Sequence, residues 1–351
     1  MRPWLRRLGL VIVVTMALGS MGFAALQNAF DQPGPLSGPA RVVVPKGNGV
    51  AYIARLLERH GVLSSSSLFI VGVRLSGNQG QLRAGEYDFP AGISARGVIK
   101  ILNAGRMVVR KLTVPEGTTT ARVLELLQGS YGLRGGLKVS PAEGTLMPDT
   151  YHYVYGDQRA HLISRMKKAM TQETSRLWRV RSKGLMLRSP REAVILASIV
   201  ERETARGVER PLIAAVFFNR LKRGMALQSD STVAYGVALK EAVPDRVLRR
   251  PLTRADLTAP GSYNTYLNKG LPPNPIANPG RAALEAVLHP ASTKALYFVA
   301  DGKGGHVFAP NLVEHNRNVR RWRQYLRLRQ RSGQLANPGQ EMEHPSRLSP
   351  N

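Results

Sequence analysis

A glutamate that closes a wholly apolar helical run is the feature of this sequence best suited to proton transfer. The run is Ser-Pro-Arg-Glu-Ala-Val-Ile-Leu-Ala-Ser-Ile-Val-Glu-Arg-Glu-Thr, from Ser189 to Thr204. Ser189 with Glu192 three residues on has the pattern of a capping box, and Pro190 at the first helical position loses nothing by its missing N–H. From Ala193 to Val200 every residue is apolar except the small Ser198, so the spacing predicts a helix buried on all sides. Glu201 follows directly. A carboxyl group there is partly desolvated, which raises its pKa and keeps a proton available near neutral pH, as a general acid requires. Glu203 lies roughly 200° further around the helix, so only one of the pair faces a given cleft. The competing reading makes both solvated residues of a fraying last turn, paired with Arg202 or Arg206.

Polar and aromatic groups that could hold a substrate follow that helix. They are Val216-Phe-Phe-Asn-Arg-Leu221, Met225-Ala-Leu-Gln-Ser-Asp-Ser-Thr-Val-Ala-Tyr-Gly236, Tyr263-Asn-Thr-Tyr266, Gly270-Leu-Pro-Pro-Asn-Pro-Ile-Ala-Asn-Pro-Gly280, His306-Val-Phe308 and Glu314-His-Asn316. Taken in this order, over roughly Arg41 to Tyr325, they resemble the MltG-type (YceG-like) endolytic murein transglycosylases. The resemblance implies that Glu201, the glutamate of the Ile-Val-Glu-x-Glu-Thr motif, is the catalytic acid/base. It also implies that Gln228, Asp230, Tyr235, Asn264, Glu314, His315 and Asn316 lie near a cleft that binds peptidoglycan. Two departures touch loop conformation: Ser231 stands where proline is usual, and Gly261-Ser262 precede Tyr263 in place of Ser-Pro.

The implied reaction needs only one carboxyl group, whereas ordinary glycosidases use two. The acid protonates the oxygen between N-acetylmuramic acid and N-acetylglucosamine, and the resulting carboxylate takes the proton from the muramyl C6 hydroxyl, closing a 1,6-anhydro ring. The nucleophile belongs to the substrate, so effective molarity replaces a second catalytic carboxylate. Alternatives stay open: Glu314 or Asp230 as the second acid/base of a plain hydrolase, His315 as a structural tie for the carboxy-terminal helix, and a non-catalytic wall-binding or division-scaffold protein of the same fold.

At 351 residues, 43% of them hydrophobic, the chain has room for two or three domains with cores. Fifty Lys and Arg face 23 acidic residues, a net charge of +27, with basic runs at Arg159–Arg191, Arg246–Arg254 and Arg317–Arg331. Such charge calls for an anionic partner. No nucleic-acid recognition motif is present, which leaves lipid and wall polymer. Leu8 to Leu26 is an uncharged apolar stretch close to the ~20 residues of a membrane-crossing helix, and Arg2, Arg6 and Arg7 before it keep the amino terminus cytoplasmic. The rival is a cleaved signal peptide with small residues at Gly22-Phe-Ala-Ala25. Both place the body of the chain on the extracytoplasmic side. The expected location is therefore the inner (plasma) membrane, with glycan strands, membrane lipid and, by resemblance, wall-synthesis enzymes as partners. The absence of cysteine decides nothing. No metal or cofactor is expected: the seven histidines form no His-x-x-x-His pair, and Gly302-Lys-Gly-Gly305 reads as a hairpin turn rather than a phosphate loop.

A weak repeat precedes the catalytic segment. Val44-Pro-Lys-Gly47, Phe89-Pro-Ala-Gly92 and Val114-Pro-Glu-Gly117 each end a strand-like run and open a helical one. Counted from each proline, the eighth residue is Ile53, Val98 or Val123, and the eleventh and twelfth are Leu56-Leu57, Ile101-Leu102 or Leu126-Leu127. That is one helix face in the same register three times, predicting strand, Pro-x-Gly turn and packed-back helix. Such units resemble LysM-like carbohydrate-binding modules, or serve simply as packing units that hold the catalytic part off the membrane. Glu143 to Tyr153 then opens the catalytic region, with Tyr151 and Tyr153 in strand alternation, and Leu162 to Val180 reads as a basic helix carrying Arg165, Lys167 and Lys168. The expected class is α+β. A transmembrane helix at 8–26 and a linker at 27–40 lead to LysM-like βα modules at 41–140, a mostly helical catalytic domain with a few strands at 141–330, and a disordered tail at 331–351.

Overall fold

A computed structural model describes residues 3–75, 77, 82–137 and 140–331, with side chains from 9 to 329 within them. The expected disordered tail from Ser332 and the side chains of Arg2, Arg6 and Arg7 lie outside the described residues. The fold is mixed α and β: twelve α-helices and three two-stranded sheets among the described residues. Among the described residues two compact units form, one reaching to residue 110 and including 131–133 and 152–157, the other from the remaining described residues.

In the first unit, α1 (Pro3–Asp31) contains the apolar span Gly9–Asp31, of mean hydropathy 2.1 and exposed throughout its most apolar window. The helix runs on past Leu26. Its last turn is packed, not free: Phe30 is buried, and its ring lies so close to Gly72 that a Cβ there would meet it at 1.8 Å. Arg96 donates to Asp31 at 2.5 Å and also to Gln27. Beyond it, β1 (Ala40–Val44), α2 (Val50–Arg59), α3 (Ser66–Leu75), β2 (Gly85–Phe89) and α4 (Ala95–Ala104) follow. β1 and β2 pair antiparallel with Val42 opposite Tyr87, and both residues are buried against Ile53, Leu57, Phe69, Val98 and Leu102.

The repeat is real in three dimensions. After β3 (Val109–Thr113) comes α5 (Thr120–Gly129), so each of α2, α4 and α5 begins five residues after its proline and is 10 residues long. Gly47, Gly92 and Gly117 have φ of 82°, 64° and 73°, the left-handed conformation that glycine supplies at little cost. Ile53 and Leu57, Val98 and Leu102, Val123 and Leu127 are buried, as the shared register requires. The third helix, α5, belongs to the second unit.

The second unit is mostly helical. β4 (Thr150–Val154), whose last three residues belong to the first unit, pairs with β3; after it come α6 (Arg159–Arg179), α7 (Pro190–Glu203), a 3-10 turn (Gly207–Glu209), α8 (Arg210–Lys222), α9 (Asp230–Lys240), α10 (Arg254–Thr258) and α11 (Arg281–Leu288). A hairpin, β5 (Tyr297–Ala300) with β6 (His306–Ala309), encloses the predicted Gly302–Gly305 turn, and α12 (Leu312–Arg331) follows. The core is built around α7, against which α6, α8, α9 and α11 pack. Removing eight consecutive residues from water makes this helix the fixed frame of the unit.

Candidate active site

Both ends of α7 are held by side chains. Ser189 Oγ accepts from the Glu192 amide at 3.3 Å, and Glu192 Oε2 accepts from the Arg188 amide at 2.6 Å. The reciprocal arm of the expected capping box thus reaches one residue further back than Ser189. Within the run, Ala193 to Val200 are all buried. Ser198 has a task the sequence did not disclose: its hydroxyl donates to Ile195 O at 2.7 Å and accepts from Ile276 N at 3.0 Å. The one polar side chain of the run thereby pins the proline-rich loop that ends at Gly280.

That loop brings Gly280 to Glu201. The Glu201 side chain is only 4% exposed, and both oxygens are engaged. Oε1 accepts from Arg210 Nη2 at 2.6 Å, and Oε2 accepts from the Gly280 amide at 2.9 Å, at the N-terminus of α11. Arg210 Nη2 also donates to Glu116 Oε2 at 3.2 Å, and Glu116 is 44% exposed. Glu116 crosses Gly280 so closely that a Cβ there would sit 1.9 Å from its Oε1, so a side chain at 280 would push the Glu116 carboxylate aside. Burial pushes the Glu201 carboxyl above its ordinary range, and the Glu116 charge pushes the same way. The Gly280 N–H and Arg210 pull against them without prevailing.

A second cluster joins this one through Asn278, which is fully buried. Its Nδ2 donates to Thr118 O at 2.9 Å, Thr120 Oγ1 at 3.1 Å and Glu143 Oε1 at 3.4 Å, and its Oδ1 accepts from Leu146 N at 2.9 Å. Its main chain meets Gly117 and Thr118. Asn278 therefore locks the Pro-Glu-Gly turn, which carries Glu116, to the loop that carries Gly280. Glu143 accepts from Thr120 N at 2.6 Å and from the Tyr235 hydroxyl at 3.0 Å. Arg246 donates to that hydroxyl at 3.2 Å, and the Tyr263 ring meets Tyr235 edge-on at 5.1 Å. Burial and the neighbouring Glu143 hold Tyr235 neutral, its pKa well above the usual tyrosine value.

Glu203 is not a solvated residue of a fraying turn. It is 3% exposed and accepts from Ser229 Oγ at 2.5 Å and Ser231 Oγ at 3.2 Å. Ser231, at the position where proline is usual, thus has a bond to make. Glu203 and Glu201 hold different loops from opposite sides of one helix end.

The other candidates are dispersed. Tyr235 joins the Glu143 and Asn278 cluster. Gln228, at φ 53°, accepts from the fully buried Arg220 at 3.0 Å, which also donates to Leu296, Ala226 and Leu227 carbonyls. Burial lowers the Arg220 pKa to about 10. Asp230 accepts from the Tyr266 hydroxyl at 2.6 Å. Asn264 clamps its own loop, donating to Leu257 O and Ala259 O and accepting from Tyr266 N. Glu314, His315 and Asn316 lie in the first turns of α12, where His315 is buried and stacks on Tyr297 at 5.0 Å; Tyr297 also carries Arg220.

Glu116, Glu143, Arg210 and Asn278 escaped the sequence reading as site residues. Glu116 had one signal: it is the acidic member of three Pro-x-Gly turns whose other middle residues are Lys46 and Ala91.

Comparison with known proteins agrees with the motif order. The family model described as YceG-like matches residues 42–321. A protein of Bacillus subtilis (strain 168) named endolytic murein transglycosylase is 31% identical over 306 residues, covering 78% of this chain and 82% of its own length. A Streptococcus pneumoniae protein (serotype 2, strain D39) of the same name is 28% identical, and the match spans 88% of this chain but 63% of that longer protein. The crystal structure of yceG-like protein lmo1499 from Listeria monocytogenes, 29% identical, covers 80% of this chain and 98% of its own, with a TM-score of 0.49. Matched by the family model over most of its length, and 31% identical to the Bacillus protein over 82% of the latter, the chain belongs to the YceG-like family.

Proposed function

We propose that the chain is an endolytic peptidoglycan transglycosylase, a lyase, with Glu201 as its acid/base. The observation that carries the reading is a carboxyl group at the end of a buried helix, raised in pKa, with a main-chain N–H and an arginine on its two oxygens. Protonated, Glu201 donates to the glycosidic oxygen as positive charge develops at the muramyl C1. The carboxylate left behind is met by Arg210 and the Gly280 N–H, which lower the cost of that charge until the proton of the C6 hydroxyl is taken up. The products are an anhydromuramyl end and a free N-acetylglucosamine end. In this proposal Tyr235 and Arg246 orient the sugar chain, and Gln228, Asp230, Asn264, Glu314, His315 and Asn316 shape the loops around it. Incubation of purified glycan strands with the protein, read by mass spectrometry, is expected to yield anhydromuramyl ends; intact strands would favour a wall-binding scaffold instead.

The acid form must be present for the first step, so the rate falls as pH rises through the Glu201 pKa. Glu116 raises that pKa by like charge. Glu116→Gln is therefore expected to move the descending limb of the pH profile of kcat/KM to lower pH. An unmoved limb would show that Glu116 does not act on the acid.

Membrane anchoring by α1, with the rest of the chain outside the inner membrane, completes the proposal, and strand termination during wall assembly is its biological setting. The order β1, α2, α3, β2 supports reading the first unit as a LysM-like module that holds glycan. A truncated chain beginning at Gln27 keeps Phe30 and the Arg96 contacts and is expected to be folded and soluble. Its partition into membranes at low and high salt alike would argue against a single amino-terminal anchor.

A further inference from the structure

Toward the C-terminal end of α1, a cavity of about 610 Å³ opens between it, α3 and α4, a size within the range of ligand pockets. Its apolar wall comes from Phe23, Leu26, Leu75 and Ile99, of which Phe23 and Leu75 are 58% and 64% exposed. Its polar wall is one stripe of α4. Arg96, Lys100 and Asn103 follow the i, i+4, i+7 spacing of a single helix face, and Arg106 stands just beyond the helix end. Arg96 is neutralised by Asp31. Lys100 and Arg106 have no salt bridge among the described residues, so the polar wall presents two uncompensated positive charges. Asn103 adds a further observation: its side-chain oxygen is buried beside the cavity with no hydrogen-bond partner among the described residues, so a headgroup hydroxyl reaches it on a turn of the amide into the cavity.

Apolar wall, paired cations and a buried acceptor beside them, next to a membrane-type helix, describe a lipid with an anionic, hydroxyl-bearing headgroup. We propose that this cavity binds one phosphatidylglycerol-type phospholipid from the outer leaflet. An acyl chain lies along Phe23, Leu26 and Leu75, the phosphate rests between Lys100 and Arg106, and a glycerol hydroxyl donates to Asn103 Oδ1. Bound this way, the lipid fixes the angle at which α1 meets the first unit, beyond what an apolar helix alone imposes. The site rests on the proposed anchoring of α1, but not on glycan cleavage.

The test uses the full chain in neutral detergent, with bound lipid counted by native mass spectrometry. Phosphatidylglycerol is expected to be retained one per chain and phosphatidylcholine to be lost. The double substitution Lys100→Ala, Arg106→Ala removes two exposed cations, each contributing on the order of 1 kcal/mol near an anionic lipid, so affinity should fall about 30-fold. Asn103→Ala should weaken phosphatidylglycerol while sparing phosphatidylmethanol, which has the same charge and no hydroxyl. Thermal unfolding confirms that the variants are folded, and cleavage of soluble glycan strands should be unchanged in all of them. Membrane fractionation of the Gln27 truncation tests the anchor separately. Equal retention of both lipids, wild-type affinity in the double variant, or displacement by equimolar glycerol phosphate would overturn the proposal.

Discussion

Glu201→Gln is expected to lower formation of anhydromuramyl ends by roughly 10⁴-fold, the upper end of what general acid/base catalysis contributes. Glutamine keeps the size of the side chain. Its carbonyl oxygen still accepts from Arg210 or Gly280, but it can neither give a proton to the leaving oxygen nor take one from C6. Folding and glycan binding should persist. Glu203→Gln is the informative comparison because Glu203 is also buried at the same helix end. Its bonds run to Ser229 and Ser231, which an amide oxygen can still accept, so its cost should appear mainly in stability. Loss of product in Glu203→Gln alone, with Glu201→Gln active, would reverse the assignment.

Asn278→Ala should have the largest effect on stability. It leaves the buried Leu146 N–H without its acceptor, removes donors from Thr120 and Glu143, and opens a cavity at a site with no exposure. An orphaned buried polar group costs about 1–3 kcal/mol; with the cavity, the sum is about 3 kcal/mol. For a unit of this size that lowers Tm by roughly 6–12 °C. Catalysis should fall as well, because the loop that presents Gly280 to Glu201 is released, and a misplacement of about 1 Å can cost on the order of 10²-fold. Calorimetry and steady-state kinetics on one preparation check both. A Tm within about 2 °C of wild type, against that expected shift, would remove Asn278 from its place at the junction.

What could be read in the chain before folding was whatever depends on neighbours in sequence. The Pro-x-Gly turns set the same helix start three times because a left-handed glycine and a fixed apolar spacing are local instructions. The buried run before Glu201 was visible for the same reason. The partners of Glu201 were not: Gly280, which bonds it directly, and Glu116, which reaches it through the shared Arg210, are far from it in sequence and come near only through tertiary packing. Ser198 looked like a small residue tolerated in a core, yet its hydroxyl is what holds Ile276 and the loop beyond. Glu203 showed the limit of helical phase. Its angle around α7 differs from that of Glu201, as expected, but phase cannot tell solvent from a second buried loop. His315 and Asn264 illustrate the converse, since polar residues in suggestive motifs are here occupied in clamping the hairpin and a loop.

The origin of the oxygen at the new muramyl end separates ring closure by C6 from attack by water. Glycan strands cleaved by the purified protein in heavy-oxygen water should give muramyl ends that are one water lighter than reducing ends and carry no label. Labelled reducing ends would mean that water is the nucleophile, and the single-carboxylate account of Glu201 would then fail.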